Sequence, residues 1–134
     1  MQIADDPAFR GSITASPWTI DFALFGHWDL GTVARFGAAL RDAVTRLPTL
    51  GVRPGEQVAL FDITGFAVQS PDVLAAIGEI ADRSRTTSRK IALVRNSALL
   101  AMQVKRAIPH LSMFDTREDA LAWLREEGGA EASA

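Results

Sequence analysis

Trp18, Ile20, Phe22 and Leu24 alternate with Thr19, Asp21 and Ala23, the period of a strand with one buried face. Ile13 and Ala15 mark an earlier strand, set apart from it by the turn pair Ser16-Pro17, and Gly26 ends the second. The period then changes. Val33, Phe36, Gly37, Leu40, Val44 and Leu47 recur as one helical stripe, with Asp29 as its cap and Pro48 as its stop. Arg35, Arg41, Asp42 and Arg46 fall largely off that stripe.

Gly51 to Gly55 is turn chemistry, and the nearly continuous apolar run from Gln57 to Asp62 predicts a central strand covered on both faces. Ser70-Pro71 opens a second helix, with Ser at the cap and Pro at the first helical position. Val73, Ala76, Ile77, Ile80 and Ala81 form its buried face. The polar stretch Arg83 to Arg89 reads as a solvated loop, and Lys90 to Arg95 as a short strand. Asn96 or Ser97 caps a third helix that Pro109 ends, and Leu111 to Phe114 makes a last short strand. Thr116 to Asp119 resembles a capping box, with Asp where Glu or Gln is usual, and Ala120, Leu121, Trp123 and Leu124 follow on the inner face of a final helix.

Two close strands followed by strands alternating with helices predict an α/β domain. Its sheet should be mixed, mostly parallel and five-stranded, opening on an antiparallel pair, with about four flanking helices. Residues 1–8 read as a flexible leader, 9–125 as one domain and 126–134 as a disordered tail.

Three segments then resemble a known family. Val58-Ala-Leu-Phe-Asp-Ile-Thr-Gly65 is similar to the apolar strand of the SpoIIAA-like proteins, the STAS and Sec14-type superfamily, which ends in Asp, one residue, Ser or Thr, then Gly. Ile91 to Val94 leading into a Ser-capped helix resembles the next unit, and Met113 to Leu124 resembles the terminal strand and Ala-Leu-x-Trp-Leu helix of small bacterial members. The likeness implies the SpoIIAA-like fold and a regulatory domain that works by protein contact. Phosphoswitch members carry Asp-Ser-Ser-Gly after the central strand, and phosphorylation of the first Ser breaks the partner complex. Here Gln69-Ser70 stands over Asp-Ser in one alignment and Ser70-Pro71 in the other; the motif's Asp and Gly are missing in both. Lipid-binding relatives imply a small apolar or anionic ligand as the alternative.

Composition narrows the chemistry. A chain of 134 residues is long enough for a core without staples, and the absence of cysteine excludes disulfides and thiolate ligands. A net charge of -2 gives no global field toward nucleic acid. The acidic start Met1 to Asp6 does not form a signal peptide, and no run of about 18 apolar residues predicts a transmembrane helix. A cytoplasmic protein is the expectation.

Candidate residues follow. Ser70 reads either as a phosphorylation site at a helix N-terminus or as a helix cap. The carboxyl edge of a parallel sheet, near a switch in strand order, would gather Asp62, Thr64, Ser70, Asn96, Ser97, Asp115 and Thr116 as a ligand edge. His27 and His110 are the only histidines and form no i, i+4 pair, so no metal site is expected. Ser70, His110 and Asp62 make a triad on paper, without the Gly-x-Ser-x-Gly that would support it, and no catalytic residue or cofactor is assigned. Arg83 to Lys90 holds four cations without interleaved aromatics, which does not support a nucleic-acid module. Leu99 and Met102 lie outside the stripe of Leu100, Val104 and Ala107 or Ile108 on the third helix. They are the candidate interface, toward a second copy or a regulatory protein.

Overall fold

The computed structural model of the protein describes residues 1–85, 88–95, 97–109 and 111–126. Three strands open the chain: β1 (Gln2–Asp6), β2 (Phe9–Thr14) and β3 (Thr19–Gly26). Helix α1 (Leu30–Arg46), β4 (Val58–Phe66), α2 (Pro71–Arg85), β5 (Ile91–Val94), α3 (Ala98–Ala107), β6 (Ser112–Phe114) and α4 (Arg117–Arg125) follow. The sheet runs in the order β1-β2-β3-β4-β5-β6, its first two pairings antiparallel and the remaining three parallel.

The expected five strands are thus six. Gln2–Asp6, read from sequence as part of a leader, pairs antiparallel with β2. Its partly buried Ile3 and Ala4 pack against the main core, while Asp6 accepts from the Ala8 amide at 2.9 Å and from Arg35 of α1 at 3.0 Å. Two small contributions, apolar contact and an acid pinned by a helix, hold a strand that lacks a run of apolar residues. The Arg35 guanidinium, followed by the Ala8 amide, pulls the Asp6 carboxyl below its ordinary value. β4 is also longer than the apolar run that announces it. A bulge between Asp62 and Gly65 shifts the register, after which Gly65 and Phe66 pair with Phe25 and Gly26.

Strand alternation splits the side chains into two layers. Ile20, Phe22, Leu24, Ala59, Ile63, Ile91 and Leu93 face the larger core, where Val33, Phe36 and Leu40 of α1, Val73 and Ile80 of α2 and Leu100 and Val104 of α3 cover them. Phe9, Phe22, Trp28, Phe36, Phe61 and Phe66 form a connected aromatic group there, most of its rings meeting tilted or edge-on with centroids 4.9 to 6.5 Å apart. Among the described residues, the opposite face is covered over its later strands. Val58, Leu60, Ala92 and Val94 pack under Ala120, Trp123 and Leu124 of α4. β1 to β3 leave their second face as an open polar trough along Asp5, Arg10, Ser12 and Asp21.

The described ends of the stretch from Arg83 to Arg89, expected as a solvated loop, are held in structure, while residues 86 and 87 lie outside the described residues. α2 extends to Arg85, the Arg89 guanidinium donates to the carbonyls of Leu124 and Glu126, and Lys90 is 1% exposed.

Candidate functional site

All four helices begin at the edge where the parallel strands end, and cap chemistry consumes much of the polarity gathered there. Asp29 accepts from the amide and hydroxyl of Thr32, each at 2.8 Å, which lowers its carboxyl below the ordinary value. Ser97 accepts from the Leu100 amide at 3.2 Å, and Thr116 from the Asp119 amide at 3.1 Å. Both hydroxyls therefore serve their own helices.

Ser70 is different. Its carbonyl accepts from the Leu74 amide, so it starts α2 by position, but its hydroxyl donates to Asp72 Oδ1 at 2.7 Å. That bond is the first cause of the depressed Asp72 carboxyl. The α2 N-terminus thus already holds a negative charge, and a phosphate on Ser70 would meet it at close range.

The described residues of the candidate ligand edge divide between two layers. The strand order runs with the sequence and never reverses, so the crevice that a switch point would open is missing. Asp62 lies on the α4 side of β4, where its Oδ1 accepts from the amide and hydroxyl of Thr64 at 2.9 and 2.6 Å and its charge reaches Arg117. Arg117 pairs with Asp21, and Asp115 with Arg95 at 2.9 Å. Ser70 and Ser97 start helices of the opposite layer. Asn96 and His110 lie outside the described residues, so the paper triad reduces to Ser70 and Asp62 on different layers. Among the described residues no three His, Asp or Glu side chains gather as a metal ligand set.

The residue that organises this edge is the Gln that one alignment sets over the motif's Asp. Gln69 is 3% exposed. Its amide nitrogen donates to the carbonyls of Gly26 and Ala67 at 2.9 and 2.6 Å, and its Oε1 accepts from the Trp28 amide at 2.8 Å. Gln103 of α3 bonds its backbone from the other side, accepting from Gln69 N at 3.3 Å. His27 adds a second tie between the same loops, with Nδ1 carrying the proton toward the Val68 carbonyl at 3.0 Å. A single Gln before Ser-Pro carries no sign of partners 41 residues away, which is why no local pattern reveals it. Replacing Gln69 by Leu should keep the volume but strip three bonds from buried backbone groups, costing about 2 kcal/mol in urea unfolding. Stability within error of the parent would show the clasp to be dispensable.

The sequential sheet, the three-helix layer and the single returning helix define the SpoIIAA-like fold. Solved structures share it, among them the following two. One is a protein of the DUF3478 family with a SpoIIAA-like fold from Shewanella loihica, at 19% identity and a TM-score of 0.66, covering 90% of this chain and 97% of that one. The other is an anti-sigma factor antagonist from Mycobacterium paratuberculosis, at 13% identity and a TM-score of 0.58, covering 92% and 100%. No family model matches the chain, and no curated protein matches it.

Proposed function

We propose that the chain is a non-catalytic, STAS-type regulatory domain, cytoplasmic in location, that works by binding another protein through the exposed face of α3. The anti-sigma factor antagonist of the same fold supports a regulatory role. The carrying observation is on α3 itself. Leu100 and Val104 are buried, while Leu99 and Met102, three residues apart on the outer side, are 60% and 61% exposed. Two neighbouring large apolar side chains on a helix of ten residues are unfavourable in water unless something covers them.

The alternative, a lipid-like ligand held in the core, has less support. The apolar cavity between the sheet and the helices, lined by Phe61, Ile77, Ile80, Leu93 and Val104, measures about 50 Å³. Ligand pockets run to about 300–1,000 Å³. Native mass spectrometry of the freshly purified chain should therefore give a bare mass, and a copurifying lipid would move this reading ahead.

The test of the interaction reading is a photo-crosslinking residue at position 99 in cells of the source organism. It should give one discrete adduct, lost in Met102→Asp, whereas the same probe at exposed Arg46 gives none. Light scattering at high concentration then sorts the partner, since a dimer dispersed by Leu99→Asp is a second copy and a clean monomer points to a different protein. Both substitutions sit on exposed positions and should change stability by no more than about 0.5 kcal/mol. Identical adducts from positions 99 and 46 would remove the proposal.

A further inference from the structure

Between the outer side of α3 and β6 runs an open groove of about 610 Å³. Met102 and Met113 form its apolar walls with Ala101, and Arg95, Lys105 and Arg106 stand around it; no carboxylate is among the residues that line it. Methionine walls are adaptable and accept apolar groups of varied shape. Lys105 donates to the carbonyls of Pro109 and Leu111 at 2.9 and 3.2 Å, which fixes its ammonium at the rim without neutralising it. Arg95 is paired with Asp115, and Arg106, exposed on the ridge, has no carboxylate within ion-pair distance among the described residues. Along the groove, β6 ends the sheet, so among the described residues its outer edge carries no neighbouring strand.

A second copy fits poorly here. A two-fold contact over this groove would set Lys105 and Arg106 of one chain against the same cations of the other. Glu79 and Asp82 do lie near Arg106, but along the separate groove between α2 and α3, not in this one. An acidic segment meets the opposite situation, since its carboxylates would find Lys105 and Arg106 along the α3 side of an apolar slot.

Resting on the partner-binding reading above, we infer that the α3–β6 groove takes an extended acidic segment of a partner protein. That segment adds a strand to the β6 edge and places one apolar side chain between Met102 and Met113. The methionine slot supplies the anchor, Lys105 and Arg106 select the charge, and the strand edge sets the direction.

The test is a nuclear magnetic resonance titration of the isotope-labelled full chain with a capped Asp-Glu-Val-Leu-Glu-Asp peptide. The methyl resonances of Met102 and Met113 and the amides of Lys105 and Arg106 should shift together, and raising the salt to about 1 M, where screening acts within about 3 Å, should reverse the shifts. Arg106→Glu should weaken binding at least about tenfold, and Met102→Ala should do the same through the apolar term while leaving the fold intact. The same peptide with lysines for its acids should shift none of these resonances. Equal response to the acidic and lysine peptides, or shifts confined to other surfaces, would overturn the groove assignment. If the adduct from position 99 persists while the peptide fails, the groove is wrong and partner binding through α3 stands; loss of both removes the parent reading.

Discussion

Replacing Gly11 by valine should cost about 3 kcal/mol in urea unfolding, and replacement by alanine about 2 kcal/mol. Ordinary strand preferences predict the opposite sign, because glycine weakens a strand interior through its backbone freedom. The geometry at Gly11 reverses the balance. It stands across from Phe22 in the β2–β3 pairing, and a Cβ there would lie 2.4 Å from the end of the Phe22 ring. A long flexible side chain would swing aside. Phe22 has no such room, since it is fully buried with Phe36 and Phe9 at centroid distances of 5.5 and 6.3 Å and Phe61 at 6.5 Å. Moving one ring disturbs the others. The same contact predicts coupling: in a Phe22→Leu background, less stable to begin with, the added cost of Gly11→Ala should shrink by about half or more. An alanine variant as stable as the parent would mean that the aromatic group yields easily, and the account of the core would fail with it.

How much of this was readable in advance depended on whether the partners of a residue were local. The stripe of Val33, Phe36 and Leu40 and the alternation of Ile20, Phe22 and Leu24 were visible because helix and strand periods are properties of neighbours in sequence. So were the caps at Asp29, Ser97 and Thr116, whose acceptors and donors lie three residues apart. β1 was missed because what holds it is distant: Asp6 meets Arg35 across 29 residues. The length of β4 was missed because a bulge resets the alternation after Asp62. The candidate site suffered most. Strand order is not written in any local pattern, so sequence alone suggests a switch point where the sheet has none and groups residues of two layers as one edge. Ser70 reads from sequence as a helix start, yet the direction of its hydroxyl, toward Asp72, decides how a phosphate would be received there. Leu99 and Met102 were found because excess apolar circumference on a helix is again a local property.

Lys90→Ala should lower stability by about 4 kcal/mol, and Lys90→Met by about 2 kcal/mol. Lysine is almost never fully buried unless its charge is matched, and in a run of cations before a strand it looks like solvated surface. Here α4 starts beyond β6 and returns across β4 and β5, so its C-terminal carbonyls end beside the start of β5. Lys90 Nζ donates to the Trp123 carbonyl at 2.7 Å and to that of Glu126 at 3.2 Å, and it lies 4.7 Å from the centre of the Trp123 ring. An ammonium at the negative end of a helix is favourable, more so when partly shielded from water. The Glu126 carboxylate adds little, because at 4.0 Å and 59% exposed it is well screened; Glu126→Gln should change stability by less than about 0.5 kcal/mol. The two lysine variants separate the remaining contributions. Methionine keeps most of the stem's packing and removes the cation, while alanine removes both and opens a cavity under Trp123. Desolvation of the buried ammonium works against it, so the methionine value is the decisive one. If Lys90→Met unfolds at the same urea concentration as the parent, the charge gains nothing net at the end of α4. The stem and the apolar contacts of Ala92 and Val94 would then hold the helix to β5. A loss of about 2 kcal/mol that persists in high salt would identify the buried cation as the clamp that keeps α4 on the sheet.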